Sequence, residues 1–377
     1  MANAILTAEL KNFAREIGLD IVRVTSAEPF SDAAEKIKQQ IRQGFCPQSW
    51  KIEDTDFFCA PKNFLWNARS VIVAADGYWT SESSSPGKPG EPRGSIARYT
   101  WRNYYYVMKK KLKKLAYFIK KRVGAGFNFR IFSNGPLKEK PAAQRAGVGW
   151  YGKNGIILTE KYGSWVVLGV LITNLKLEED PPLFNSCGEC RLCIDACPTG
   201  AIVEPYRLDF SRCIQHITHN SQVVPDSIRE VWGDRLYGCT TCQEVCPLNR
   251  RVKAKDQVPD YGYVGTDFPL IPIPQMNESE YRERFSGNQM AARWVSFEAI
   301  QRNAVLALGN IGDRSALPVL IQTLKNHPSL IVKRHTAWAL GKIGGSEAKL
   351  ALRQVMKMEI EPELRKEIEN ALRRCKD

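Results

Sequence analysis

Eight of the eleven cysteines fall within one sixty-residue window, and their spacing is the clearest chemical signal in the chain. The first run, SCGECRLCIDACPTG, sets Cys187, Cys190, Cys193, Cys197 and Pro198 in a C-x2-C-x2-C-x3-C-P pattern. Three closely spaced thiolates can cap three irons of one 4Fe–4S cubane, while the fourth reaches away to a neighbouring cluster. The second run, YGCTTCQEVCPLN, supplies Cys239, Cys242, Cys246 and Pro247, and Cys213 upstream completes it. Reciprocal sharing then gives Cys187, Cys190, Cys193 and Cys246 to one cluster, and Cys197, Cys213, Cys239 and Cys242 to the other. Structural zinc and disulfides are the alternatives. Zinc favours separated cysteine pairs or Cys–His sets, which a third cysteine so close to a pair suits poorly. Disulfides do not suit a cytoplasmic chain, where this protein is expected. Cys46, Cys59 and Cys375 lie outside the window and read as small apolar residues or free thiols.

Clusters pass electrons to something, and the residues ahead of them carry two further signals. Gly147-Val148-Gly149-Trp150-Tyr151-Gly152 matches the G-x-G-x-x-G fingerprint of dinucleotide sites. That fingerprint needs a strand before it and a helix after it. Here PAAQRAG before it looks helical, and GIILTEKYGSWVVLGVLIT after it reads as strand, turn, strand. NAD binding is therefore not expected, although the glycines beside Lys153 and Asn154 leave backbone amides open to another cofactor. The second signal is charge. Fifteen Lys or Arg and one acid, Glu139, lie between Gly94 and Gly155, so this stretch holds the entire net charge of +14. Lys109-Lys110-Lys111, Lys113-Lys114 and Lys120-Lys121-Arg122 interleave with Leu112, Leu115 and Ile119. That pattern fits a polyanion such as RNA or a phosphate-bearing cofactor, and equally a solvated helix face.

The elements that must hold these groups follow from periodicity. At 377 residues, two or three domains are expected. No apolar run is long enough for a membrane span. Met1 to Phe30 reads as an amphipathic helix through Leu6, Leu10, Phe13 and Ile17, without the pattern of a signal peptide. Ser70–Ala75 and Asn128–Phe132 read as strands. After a Pro-rich linker at Phe268–Pro274, IQRNAVLALGNIG (Ile300–Gly312) recurs as VKRHTAWALGKIG (Val332–Gly344) at a period of 32, with a partial third copy. Such a repeat predicts HEAT-type helical hairpins. Arg302, Arg334 and Lys366 share one repeat position, which suggests a basic ladder for a partner or ordinary interhelical ion pairing.

Taken together, IARYTWRNYY (Ile96–Tyr105), AGVGWYGKN (Ala146–Asn154), GSWVVLGVLITN (Gly163–Asn174), both cysteine runs, DRLYGC (Asp234–Cys239) and IQRNAVLALG (Ile300–Gly309) make the chain resemble the epoxyqueuosine reductase family over nearly its whole length. The resemblance implies an α+β multidomain protein: a cobalamin-binding domain of nitroreductase-like α/β fold over 1–180, a two-cluster ferredoxin-like module over 181–255, a linker and short helix over 256–290, and a HEAT-like repeat over 291–377. It implies a cytoplasmic, monomeric oxidoreductase with two 4Fe–4S clusters and cobalamin. That enzyme reduces the epoxide of epoxyqueuosine in a tRNA anticodon loop and is fed by an external donor such as flavodoxin or ferredoxin. Carried over by position, Gly149, Tyr151, Lys153, Asn154 and Gly155 would line the corrinoid, with Gln215 near the cobalt face. The four histidines leave base-off binding without a protein histidine as the expectation.

Two departures bear on the substrate side. The family's proton-donor aspartate lies in a V-D-[ST]-x-P-like stretch, and the corresponding IFSNGP puts Ser133 there. Between Arg130 and Gly147 the only acid is Glu139. The family's R-D-Y-H becomes Arg102-Asn103-Tyr104-Tyr105. No catalytic residue is assigned by the resemblance for this reason. Three functions follow: an epoxyqueuosine-type reductase with another proton donor (Glu139, a tyrosine or water), a paralogous cobalamin-dependent reductase with another substrate, or a non-catalytic electron-transfer or corrinoid-activating protein.

Overall fold

The computed structural model describes residues 2–85 and 87–375, which fold as two compact units, each discontinuous in sequence. Met1–Ser81, Asn103–Ser211 and Thr241–Pro259 form the first unit; Glu82–Arg102, Arg212–Thr240 and Asp260–Asp377 form the second. The fold interleaves segments that the sequence reading set end to end. Among the described residues no helix is long and apolar enough to cross a membrane.

The first unit is built on a four-stranded antiparallel sheet, ordered Ile21–Ser26, Ser70–Gly77, Val166–Thr173, Phe129–Phe132. Its two central strands are apolar along nearly their whole length because both faces are covered. On one face Val71, Val73, Ala75, Leu168, Val170 and Ile172 pack with Ala142, Ala143 and Ala146 of the helix Glu139–Arg145 and its end. On the other lies the basic helix Tyr104–Val123, buried through Met108, Leu112, Leu115, Ala116 and Ile119. Its approach is close: a Cβ on Gly169 would stand 2.5 Å from Met108 Cγ. Phe118 of the same helix stacks on Phe13 at 4.2 Å. The first helix is shorter than its apolar pattern suggests. It spans Ala2–Glu16, Gly18 turns the chain at φ +78, and the β-branched run that follows becomes the edge strand Ile21–Ser26.

The second unit holds a three-stranded sheet, ordered Arg235–Tyr237, Arg93–Ile96, Asp267–Pro269, and the C-terminal helices. The segment Phe268–Pro274, expected as a linker, is part of this core. Its strand pairs with Arg93–Ile96, and Leu270 and Ile273 are fully buried. Five helices, Phe297–Ile311, Leu317–Asn326, Leu330–Ile343, Ser346–Met358 and Pro362–Arg374, form the repeat. Ser296 and Ser329 cap two successive repeat helices by accepting from Ala299 and Val332 N–H. The repeating glycine has a packing cause: a Cβ on Gly309 would stand 2.8 Å from Ala339 Cβ, and one on Gly341 would stand 2.7 Å from Ala371 Cα.

Candidate active site and cluster ligands

In the first unit, the helix Glu139–Arg145 delivers the chain into a hairpin of the short strands Trp150–Tyr151 and Ile157–Leu158. The G-x-G-x-x-G sequence thus follows a helix and enters a strand, the reverse of a dinucleotide site. Its glycines serve close packing: a Cβ on Gly149 would stand 2.1 Å from the Leu158 carbonyl oxygen. At the hairpin tip Asn154 is buried and accepts from Ile156 N–H through Oδ1 at 3.2 Å. Gly155 has φ +72, and no atom stands within 4 Å of where a Cβ would be, so its backbone is open on that side. Lys153 reaches the Gly188 carbonyl at 2.5 Å and receives Tyr206 N–H on its own carbonyl at 2.9 Å. The tip is thereby tied to the first cysteine run. Burial pushes the Tyr151 phenol well above its ordinary range.

That run and part of the second stand in the same unit. Cys193, on the helical turn Leu192–Asp195, has its thiol pushed up to about 11, first by burial and then by the charge of Cys187, Cys190 and Cys246. These are the four residues assigned to one cluster, and their mutual repulsion is what an iron core would neutralise. Among the described residues no three His, Cys, Asp or Glu close up around a single-ion centre; four corner ligands of a cubane ask for a wider spacing. Cys197 receives Ala201 N–H at 3.2 Å and lies 3.7 Å from Thr199 Oγ1. Burial opposes its ionisation, yet these hydrogen bonds leave the thiol lowered. Beside Cys242 and Cys246, a polar network unreported by any motif fixes the second run. Gln243 donates to Ser164 O and Oγ, each at 3.0 Å, and Asn249 donates to Ser164 Oγ at 2.8 Å. Outside the two runs, Cys59 and Cys375 are buried, and Cys46 is half-buried.

In the second unit, Cys213 and Cys239 both lie in the electrostatic surroundings of Tyr99, whose phenol burial pushes up to about 12. Gln215 donates to that phenol oxygen at 3.3 Å. The backbone carrying Cys213 and Cys239 is held by the repeat helices. Arg302 donates to the carbonyls of Ile217, Asn220 and Gln222, Asn303 to those of Thr218 and Leu236, and Val224 N–H donates to His335 Nε2. Arg302 is fully buried and Arg334 pairs with Glu363, so at these two positions the alternative of interhelical pairing, joined by carbonyl clamping, describes the side chains.

The departures have physical readings. Asn103 accepts Tyr106 N–H at 3.1 Å and so caps the basic helix as an aspartate would. Tyr104 is buried and Tyr105 is half-buried in its first turn. Ser133 is fully buried, and its hydroxyl donates to Leu168 O at 2.6 Å, committed inside the sheet. Glu139 turns back to accept Gly135 N–H at 3.2 Å.

Residues 59–134 match the epoxyqueuosine reductase QueG family model, 186–249 match a 4Fe-4S double cluster binding domain, and 294–373 match HEAT repeats. The epoxyqueuosine reductase of Bacillus anthracis is 34% identical over 367 residues, covering 96% of this chain and 95% of the relative. That of Bacillus subtilis is 35% identical, covering 97% and 95%. A crystal structure of an epoxyqueuosine reductase with an epoxyqueuosine-modified tRNA stem loop superposes with a TM-score of 0.91 at 34% identity, covering 99% of each chain. Another, from Bacillus subtilis, has an aspartate-bearing catalytic loop swung out of the active site and superposes at 0.89 with 34% identity, covering 98% of this chain and 99% of that one. This chain belongs to the epoxyqueuosine reductase family.

Proposed function

We propose that this oxidoreductase reduces the epoxide of epoxyqueuosine within a tRNA anticodon loop, using two 4Fe–4S clusters and cobalamin. The observation that carries the reading is the full-length likeness to an epoxyqueuosine reductase seen with a modified tRNA stem loop. The working division of labour is a cobalamin-binding part over 1–180, a cluster module over 181–255 and a helical repeat over 291–377, with the strand and buried residues of 267–273 packed into the second unit rather than linking two parts.

The donor set fits the cofactors. The eight cysteines Cys187, Cys190, Cys193, Cys197, Cys213, Cys239, Cys242 and Cys246 are all half-buried, which suits cluster ligation. Lys153, Asn154 and Gly155 form the tip of one hairpin, Tyr151 lies in its first strand and Gly149 leads into it; the open backbone at Gly155 suits a corrinoid edge. Gln215 would serve the cobalt face. Cobalamin, when bound, supplies a nucleophilic metal centre that the clusters can reduce. The chain's own part is to orient and insulate: Ala201 N–H and Thr199 tune the Cys197 sulfur, and the Lys153–Gly188 bond couples the hairpin tip to the first cysteine run. The exposed lysines of the helix Tyr104–Val123 attract the tRNA backbone. An external one-electron protein such as flavodoxin or ferredoxin supplies the reducing power, and the enzyme acts as a monomer in the cytoplasm.

The test is anaerobic reconstitution with iron, sulfide and cobalamin, followed by reduction and turnover of epoxyqueuosine-containing tRNA. Queuosine should form only with all components present. The buried Ser133 favours one second reading, a paralogous reductase with another substrate. Cobalamin-loaded, cluster-replete protein that leaves epoxyqueuosine tRNA untouched would put that reading first.

A further inference from the structure

We propose that Glu139 donates the proton to the oxygen released during reduction, the task that Ser133 cannot perform from inside the sheet. The inference rests on the epoxide reduction proposed above. Removing an epoxide oxygen to leave an alkene consumes two electrons and two protons and releases water, with both C–O bonds broken. The electrons come from the external one-electron donor through the clusters. The Glu139 carboxylic acid gives its proton to the departing oxygen as its C–O bond breaks. Water supplies the second proton, and solvent returns one to the carboxylate.

The geometry places an acid at the loop that has lost one. Ser133 is fully buried with its proton committed to Leu168 O at 2.6 Å. The next two residues, Asn134 and Gly135, are exposed, and Asn134 sits in the left-handed region at φ 54. The Glu139 carboxyl folds back onto them, accepting Gly135 N–H at 3.2 Å, with the Asn134 amide also in its surroundings. Glu139 is half-buried and six residues along from Ser133, and its carboxyl reaches back to Gly135 at the exposed edge of the loop. The adjoining Lys140 donates to the Gly155 carbonyl at 2.8 Å, which anchors this helix start on the proposed corrinoid hairpin. No other acid occurs between Arg130 and Gly147.

Its environment keeps the acid supplied with a proton. Burial raises Glu139 to about 8, against the lowering influence of the Gly135 and Asn134 amides, of Lys109 from the basic helix and of Lys140 from its own. Lys138, immediately before it, feels the Glu139 charge as well. A carboxyl held neutral near pH 7 is the form that donates. The bland account is a latch that merely holds the loop; an amide would serve for that equally well.

The experiment compares the reconstituted parent with Glu139→Gln and Glu139→Asp. The amide keeps an acceptor for Gly135 N–H but carries no transferable proton. Single-turnover reduction of epoxyqueuosine tRNA should fall about a hundredfold or more in Glu139→Gln. Stem-loop affinity, iron content and the cobalamin spectrum should stay at parental values, and Glu139→Asp should recover part of the rate. The parent rate should decline as pH rises through about 8, and that limb should vanish in Glu139→Gln. A Glu139→Gln enzyme with parental rate and pH profile overturns the proposal. Infrared difference spectra give a readout free of turnover: a protonated carboxyl band should titrate in the parent and be missing in Glu139→Gln. If the parent reduces no epoxyqueuosine, the substrate reading fails on its own, and a Glu139 that is ionised throughout the neutral range overturns the proton-donor role separately.

Discussion

Lys111 donates to Asp76 Oδ2 at 2.6 Å, so one of the eight cations on the helix Tyr104–Val123 faces the sheet and not solvent. Asp76 is buried, and burial raises its pKa despite the lysine. The pair therefore belongs to the fold, and its neighbours on the helix do not share that fate. Lys111→Met strands a buried carboxyl and should cost about 3 kcal/mol, read from urea unfolding. The same change at Lys114, which is exposed, should cost less than about 0.5 kcal/mol. Equal losses at the two positions would remove the distinction.

The exposed lysines carry the RNA reading. Lys110, Lys114 and Lys121 all lie on the outer face of that helix. Each contact to a phosphate releases a counterion and contributes about −0.7 to −0.9 to the log–log slope of tRNA affinity against salt. Changing the three to Glu should flatten the slope by about 2 while cluster content and cobalamin binding stay as in the parent. An unchanged slope would assign the charge to solubility or to the corrinoid phosphate.

The cluster assignment gives a stoichiometric outcome. Reconstituted protein should hold about eight irons, and Cys190→Ala should hold about four, with one cluster still visible by electron paramagnetic resonance. Cys190 lies in the charge environment of Cys193, together with Cys187 and Cys246, so the loss should be confined to that cluster. One zinc per site and full stability without iron would overturn the ligand assignment.

Local signals were legible and long-range ones were not. The cysteine runs declare themselves because a cubane needs several ligands within a few residues. The helix before Gly147 declares itself because its alanines recur on one face. The strand Ile21–Ser26 was hidden by an apolar stripe that runs on from Leu6 to Ile17; only Gly18 marked the break. The Pro-rich Phe268–Pro274 looked like a linker because its partner strand, Arg93–Ile96, is remote in sequence. Arg302 looked like a surface cation by repeat position, and the carbonyls that bury it belong to residues about eighty positions earlier. Gly309 was visible as a repeat, but its cause, Ala339 at 2.8 Å, was not. Gly309→Leu should therefore destabilise the repeat by 1–3 kcal/mol or more, about the cost of overpacking a core, as read from thermal unfolding.

His335 gives the fold an acid limit with a defined sign. It is fully buried; Nε2 accepts Val224 N–H at 3.0 Å and Nδ1 donates to Ile331 O at 2.7 Å. That pattern requires the neutral ring with its proton on Nδ1, because a proton on Nε2 would face the Val224 N–H. Burial, and then Arg229 and Arg302, hold its pKa well below the ordinary value of 6.5. The unfolded chain therefore binds a proton that the folded chain refuses. Stability from this group is fully present above pH 6.5 or so and falls as pH drops below it, by about 1.4 kcal/mol per pH unit. His216, His219 and His327 are depressed by burial as well and steepen the total. His335→Gln can keep an acceptor for Val224 N–H and cannot be protonated. Urea midpoints followed by far-ultraviolet circular dichroism should show it less stable than the parent at pH 8, with a shallower loss on acidification to about pH 5. Parallel pH profiles for the two proteins would show that the acid limit arises elsewhere in the fold.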